Sequence, residues 1–367
     1  MAHPLRLAAA ALLAVRLARA ARPAVRLTAP PMDADEEPPS GRPTVTVIVP
    51  ARDEEQRIGG CLDGLAGDPW IDELLVVDDR SSDRTAEVAA AHGARVVAGE
   101  EPPPGRVGKP WALEQGLRVA RGQVVVALDA DTRPRPGLVA GLVTELWRSG
   151  AGDARPLLLS ASARFECRSA GERLLHPGFV ATESYRYGPL DVRGHESPPG
   201  RATANGQVVC VRARALREAG GFALAAGHMT DDVALARALA GRGWRVARVD
   251  ATALVDVRMY ESAAETWAGW GRSITASDVT ARGWLALDLL VLWVAQALPL
   301  WRIALGRGDR LDGLLLAARL GIAARLARAY QPRGPWFWLA PLADLPVVAR
   351  FTASVVRPPR AWRGRRY

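Results

Sequence analysis

Asp129 and Asp131 stand one residue apart, directly after the apolar run Val124–Leu128. On an extended chain that spacing turns both carboxylates to the same side. Two hard oxygen donors on one side suit Mg2+ or Mn2+ shared with phosphate oxygens. Such an ion neutralises charge that gathers on a departing diphosphate. A lone D-x-D also fits a solvated turn, but its place straight after so apolar a strand favours the ligand reading. Two further acidic clusters follow apolar runs. Arg52-Asp53-Glu54-Glu55 comes after Thr44–Val49, and Asp78-Asp79-Arg80-Ser81-Ser82-Asp83 after Leu74–Val77. Three such loops at one end of a sheet would repel each other without a cation or donors between them, which marks a binding site. Asp78 and Asp79 can accept hydrogen bonds from a nucleobase, whereas capping of the next helix by Ser82 accounts for Ser82 and Asp83.

Lys109 is the only lysine against 47 arginines, and Asn205 is the only asparagine. A composition biased so strongly away from both types singles out the positions that keep them. Lys109 lies in Gly108-Lys109-Pro110-Trp111, at the start of a helix, where anions bind well. A compact ammonium there contacts a diphosphate in a geometry that arginine does not reproduce.

These residues require elements to position them. Thr44–Val49 reads as a strand, Asp53–Leu65 as a helix and Leu74–Val77 as a strand. A helix over Asp83–His92 and a short strand around Arg95–Ala98 come next. Pro110 opens a helix to Arg121; Gln123–Leu128 is a buried strand and Gly137–Trp147 a helix. This alternation implies an α/β fold with a mainly parallel sheet and helices on both faces, and ligands in such sheets sit at the carboxyl ends of strands.

The chain has 367 residues, 49% apolar and 24% charged, enough for a full core. Three scattered cysteines exclude a disulfide scaffold or zinc finger and fit a reducing compartment. The net charge of +9 resides at the ends: residues 284–367 hold 13 Arg against 4 acids, and residues 1–28 hold 5 Arg and no acid. A nucleic-acid binder spreads its basic charge over the folded body, so no nucleic-acid partner is expected. Basic ends beside apolar runs point to an anionic membrane surface. Residues 1–28 are expected to be an interfacial helix or anchor, and the proline-rich residues 29–43 a linker. Residues 44–283 form the α/β domain, and 284–367 membrane-associated helices with a basic tail. Trp284–Trp301 and Pro335–Val356 are apolar enough to span, while Leu311–Tyr330, with Arg319, Arg325 and Arg328, reads as amphipathic and interfacial. A helical subdomain of a soluble protein is the competing reading, and charge does not settle the number of spans.

Thr44–Glu55, Leu74–Thr85, Gly108–Gly116 and Val124–Thr132 together resemble family 2 glycosyltransferases of the GT-A fold, over roughly residues 44 to 275. The resemblance implies that Glu54 and Asp78 or Asp79 face the nucleoside of the donor, and Arg52, Asp78 and Asp79 are all assigned to donor binding. It also implies that the D-x-D holds metal and diphosphate, with Asp131, beside Asp129, on the metal; Lys109 and Asp129 are assigned to donor binding. The usual Asn of the first motif is Asp53 here. In Thr230-Asp231-Asp232 the resemblance implies that Asp232 is the general base, taking the acceptor's proton as it attacks the anomeric carbon. Asp231 is a neighbour able to raise its pKa. Placement of acids at a helix N-terminus is the structural alternative. Asn205, Gln207, Asp231, Trp270 and Arg272 are assigned to the acceptor region. Trp267 and Trp270 share a helical face, and Trp favours membrane interfaces. Only Trp270-Gly271-Arg272 stands where processive synthases carry Q-x-x-R-W, which argues against a polymerase. The chain is more similar to bacterial membrane glycosyltransferases acting on lipids, including carotenoid glucosyltransferases. The expectation is an inverting transfer from a nucleotide sugar, UDP-linked in particular, to a lipid-like acceptor at the cell membrane, with the catalytic domain cytoplasmic. Nucleotidyl or phosphoryl transfer is the alternative enzyme class, and a degenerate membrane scaffold the non-catalytic one. No G-x-G-x-x-G follows the first strand, which disfavours a dinucleotide oxidoreductase.

Overall fold

A computed structural model describes residues 3–30, 41–150, 153–192 and 194–358, and the backbone of 361–362 and 365–366. Most of the expected linker, residues 31–40, lies outside the described residues. The chain divides into two units. One holds residues 24–164 and 194–257; the other holds 1–23, 165–193 and 258–366.

The first unit is built on a seven-stranded sheet of order β3-β2-β1-β4-β8-β6-β9. The strands are β1 Val45–Ala51, β2 Glu73–Asp78, β3 Arg95–Ala98, β4 Val124–Leu128, β6 Leu157–Ser162, β8 Val208–Arg212 and β9 Arg245–Asp250, and the short β5 Thr132–Pro134 pairs antiparallel with β10 Val255–Val257. β1 pairs parallel with β2 and with β4, and β2 with β3. β8 runs antiparallel to both β4 and β6. The sheet is therefore mixed, with a parallel half. All of β4 is buried, as the run Val-Val-Val-Ala-Leu requires of a central strand. At the far edge Val25 and Leu27 bond to Asp250, each at 2.8 Å, lengthening the sheet by a strand-like segment.

Helix α2 is Ile58–Asp63, shorter than the expected Asp53–Leu65. Asp53 has a left-handed φ of 52°, which ends any helix there. Helix α3 is Thr85–Ala91, and Ser82 does not cap it. Its N-cap residue is Arg84, Asp83 accepts from the Thr85 amide at 3.0 Å, and Ser82 donates to Asp53. Helix α4, Gly108–Val119, packs on β1 and β2. Helix α5, Leu138–Gly150, packs on β6 and β8. Helices α7, Ala213–Ala219, and α8, Asp231–Ala240, complete the unit.

The second unit is helical. It contains α1 His3–Leu17, α6 Ala170–Tyr187, α9 Ala263–Ser273, α10 Arg282–Val291, α11 Leu298–Ala304, α12 Arg310–Leu326, α13 Gly334–Trp338 and α14 Asp344–Val356. Within it, Tyr330–Gln331 (β11) pairs parallel with Phe165 and Glu166 of β7, Arg164–Glu166. α10 runs through a π-helical turn at Leu292–Ala297 into α11, giving one continuous helix, Arg282–Ala304. It is the one helix among the described residues long and apolar enough to cross a bilayer, and half of its apolar window is buried. The expected span at Pro335–Val356 is not a single helix. A 3-10 turn at Ala340–Ala343 separates α13 from the 13 residues of α14, which rise only about 20 Å against a hydrocarbon core of about 30 Å. Arg319 in α12 is not on an outer polar face either: it is buried and bonds Asp344 at 2.6 Å. Helix α1, expected at an interface, supplies Ala9 and Leu13 to this unit's core. The contacts also draw 165–193 and 258–283 to the C-terminal helices, so the division differs from one at 283/284.

Candidate functional site

Register alone brings the acidic loops of the first unit together. Ala51 pairs with Asp78 at the ends of β1 and β2. β4 follows β1 in the sheet, so Asp129 and Asp131 leave the same edge. β8 is antiparallel, so its first residue, Val208, pairs with the last of β4, Leu128. That places Ala204-Asn205-Gly206-Gln207 beside the D-x-D, and the Asp129 amide donates to the Gln207 carbonyl at 3.0 Å.

Lys109, in the first turn of α4, is the hub. Its Nζ lies 2.6 Å from Asp129 Oδ1 and 4.0 Å from Asp231 Oδ2, and it donates to the Gly206 carbonyl at 3.4 Å. Burial works to discharge this ammonium, but Asp129 and Asp231 outweigh it and hold its pKa above the ordinary lysine value. Asp232 opens α8. Its Oδ2 accepts from the Gly206 amide at 3.0 Å and its Oδ1 from the Val233 amide at 2.8 Å. Burial, then the adjacent Asp231, raises its pKa to about 6. Burial also raises Asp231, against the pull of Lys109. Asp131 is pushed to about 7 by burial, then by Asp129 and Glu54.

Asp131 Oδ1 is buried without a hydrogen-bond partner. A carboxylate oxygen so placed, crowded by other carboxylates, fits a hard cation. Among the described residues no set of three protein donors converges on one point. A cation held by Asp131, with Asp129 beside it, would complete its shell from phosphate oxygens and water, as Mg2+ commonly does.

The base-side residues form a second group. Arg52 lies 3.7 Å from both Asp53 and Asp79, and Glu54 pairs with Arg57 at 2.7 Å. Asp53 accepts from the Ser82 amide at 2.8 Å, and Asp78 from the Ser81 amide at 3.4 Å. Asp53 and Arg80, both at positive φ, hold these two loops in conformations that non-glycine residues adopt only under constraint. Glu54 and Arg57 are the charges of this group that act on Asp131.

Asn205 and Gln207 lie in the cluster and bond each other through Nδ2 and Oε1 at 3.0 Å. Trp270 and Arg272 belong to the helical unit, on α9, where Trp270 meets His176 edge-on. Sequence reasoning passed over Arg57, Gly206 and Ser160. A Cβ on Gly206 would lie 3.0 Å from Asp232 Cβ and 3.2 Å from Lys109 Nζ, so no larger residue fits without a shift. Ser160 carried one signal, a hydroxyl directly after the apolar run Leu157-Leu158-Leu159 of β6.

A mixed α/β sheet with acidic loops at one edge around a single ammonium is the frame of a sugar-nucleotide enzyme. A profile described as glycosyltransferase like family 2 matches residues 43–275, more than half of the chain, and the chain belongs to that family. It is similar to glucosyl-3-phosphoglycerate synthase of Mycolicibacterium paratuberculosis, 42% identical over 109 residues, 28% of this chain and 33% of that protein. It is also similar to 4,4'-diaponeurosporenoate glycosyltransferase of Staphylococcus haemolyticus, 26% identical over 265 residues, 68% of this chain and 66% of that one. The matches thus span a third to just under two thirds of these relatives' lengths. Among solved structures, the mannosyltransferase PcManGT from Pyrobaculum calidifontis, in complex with GDP-Man and Mn2+, shares the fold. Its TM-score is 0.50 at 18% identity, covering 96% of this chain and 99% of that one.

Proposed function

We propose that the protein is an inverting glycosyltransferase that moves a sugar from a nucleotide sugar, UDP-linked in particular, to a lipid-like acceptor at the membrane. The observation that carries this reading is the cluster on Lys109, with Asp131 Oδ1 left unpartnered beside it. Arg52, Glu54, Asp78 and Asp79 bind the nucleoside. Lys109 draws the diphosphate to the N-terminus of α4, where backbone amides add to its charge. A divalent ion on Asp131 and Asp129 would neutralise charge developing on the leaving diphosphate. Asp232 takes the acceptor hydroxyl's proton; a base with a pKa near 6 is largely ionised at neutral pH and still a competent acceptor. The acceptor oxygen bonds to the anomeric carbon as the bond to the diphosphate breaks, which inverts that carbon.

The membrane part of the reading is supported by the helical unit's surface. Of the 15 exposed large apolar residues among the described ones, 14 belong to that unit. Trp284, Trp301, Trp336 and Trp338 are among them, with exposed Arg307, Arg310, Arg333 and Arg357 in the same segments. Exposed Trp and Leu with Arg suit the headgroup region of an anionic bilayer. Three buried, free cysteines accord with a cytoplasmic catalytic unit.

Incubating the protein with UDP-glucose or GDP-mannose, Mn2+ or Mg2+, and either a bacterial lipid extract or 3-phosphoglycerate tests the reading. Release of nucleoside diphosphate with a new glycolipid supports it. A glycosylated phosphoglycerate replaces the lipid acceptor, and pyrophosphate as product means nucleotidyl transfer. Sedimentation with phosphatidylglycerol vesicles but not phosphatidylcholine vesicles, lost in Trp336→Ser/Trp338→Ser, checks the membrane surface.

A further inference from the structure

The residues around Asp232 are held from behind by a group outside the acidic loops. β6 and β8 pair only from Leu158↔Val211 to Ser160↔Val209. Beyond that point the chain leaves the ladder as a turn through Asn205, Gly206 and Gln207, upstream of β8. Ser160 catches this turn. Its Oγ accepts from the Asn205 amide at 2.6 Å and donates to the Asn205 carbonyl at 3.0 Å. Ser160 is fully buried on β6, so water cannot replace either bond.

The rest of the turn is fastened in the same way. The Gln207 amide donates to Asn205 Oδ1 at 3.1 Å, and the Asn205 side-chain amide returns a bond to Gln207 Oε1. The Gln207 carbonyl holds the Asp129 amide. Only Gly206 is presented outward, its amide to Asp232 Oδ2 and its carbonyl to Lys109 Nζ. One peptide segment therefore holds the group that takes the proton and touches Lys109, which Asp129 holds more closely. At its Asn205 end the segment is anchored to β6 by the Ser160 hydroxyl.

We propose that Ser160 is a positioning residue for the transfer, acting through the Asn205–Gly206 turn on Asp232. This inference rests on the reading of Asp232 as the base. Ser160 touches neither substrate, so its removal slows turnover and leaves donor binding alone. In the full-length protein Ser160→Ala is expected to lower kcat about tenfold or more, with the KM for the nucleotide sugar changed less than about twofold. Ser160→Thr, which keeps the hydroxyl, recovers most of the rate. Because the residue works largely through Asp232, Ser160→Ala costs about threefold or less in an Asp232→Asn background. Cooperative thermal unfolding of each variant shows that it is folded, and Ser160→Cys takes the place of Ser160→Ala should that variant not fold. A wild-type protein that transfers no sugar overturns the reaction, and the role of Ser160 in it falls too. With an active wild type, the clamp alone is overturned by a Ser160→Ala variant of full kcat. It is equally overturned by a Thr variant no better than Ala, or by a loss that persists undiminished beside Asp232→Asn.

Discussion

In the helical unit Asp288 meets Arg16 at 3.0 Å and Arg186 at 3.3 Å, and Asp312 meets Arg6 at 2.7 Å and Arg302 at 2.9 Å. Asp344 takes both Arg319, at 2.6 Å, and the Gln296 side-chain amide, at 3.0 Å. In the sheet unit, by contrast, Asp129, Asp231 and Asp232 share the single ammonium of Lys109, and Asp131 Oδ1 meets no donor. Both units bury acids. The helical unit gives each of these three acids a guanidinium, whereas the sheet unit crowds its carboxylates around one ammonium. A buried carboxylate matched to arginine is part of the fold, and one left in excess of its cations is kept for a ligand.

Substitutions on the two sides should therefore separate activity from stability. The largest effect is expected at Asp232→Asn, which keeps the shape and removes the proton acceptor. It should lower kcat by about 10²–10⁴, read as nucleoside diphosphate release, with no loss of stability in urea. In the helical unit the reverse holds. Asp344→Ala strands the buried Arg319 guanidinium, and loss of one partner of such a pair costs about 3–5 kcal/mol. Urea unfolding should show that loss, while the activity of the molecules still folded persists. Equal effects of both variants on both readouts would erase the distinction between the units.

The same contrast explains what the sequence made legible. The parallel half of the sheet was readable because strands and helices alternate with clear apolar runs, and the acidic loops followed as the residues after each strand. Asp131 and Lys109 were legible through spacing and through the rarity of lysine. Less visible was anything set by long-range register. Only the antiparallel course of β8 places Asn205–Gln207 against Asp129, and nothing local announces a reversed strand. Ser160 acts across 45 residues of chain. The helical unit was misread where arginine suggested an outward face, since Arg319 turns inward to an acid 25 residues away. An arginine in an apolar run says that a charge must be satisfied, and not whether water or a distant aspartate satisfies it.

A smaller effect sharpens the comparison through pH. Asp131 and Asp232 have folded-state pKa values of about 7 and about 6, above the ordinary carboxylate value of 3.8. Between pH 4 and pH 7 the folded protein therefore binds more protons at these sites than the unfolded chain does. Stability of the metal-free protein should rise as pH falls from 8 towards 5, a contribution lost again as pH climbs through the folded values. Turnover runs the other way. Protonating Asp232 removes the base, so kcat should fall about tenfold per pH unit below roughly pH 6. Saturating Mn2+ should reverse the stability trend, because a cation on Asp131 favours the ionised form. Its stabilisation, measured as a rise in Tm, should be larger at pH 8 than at pH 5.5 and absent in Asp131→Ala. That variant should also gain stability at pH 8 without metal, since it relieves the crowding with Asp129 and Glu54. A Tm that falls on acidification over this window, or a Mn2+ effect unchanged in Asp131→Ala, would mean that the sheet-end acids are as fully satisfied as those of the helices.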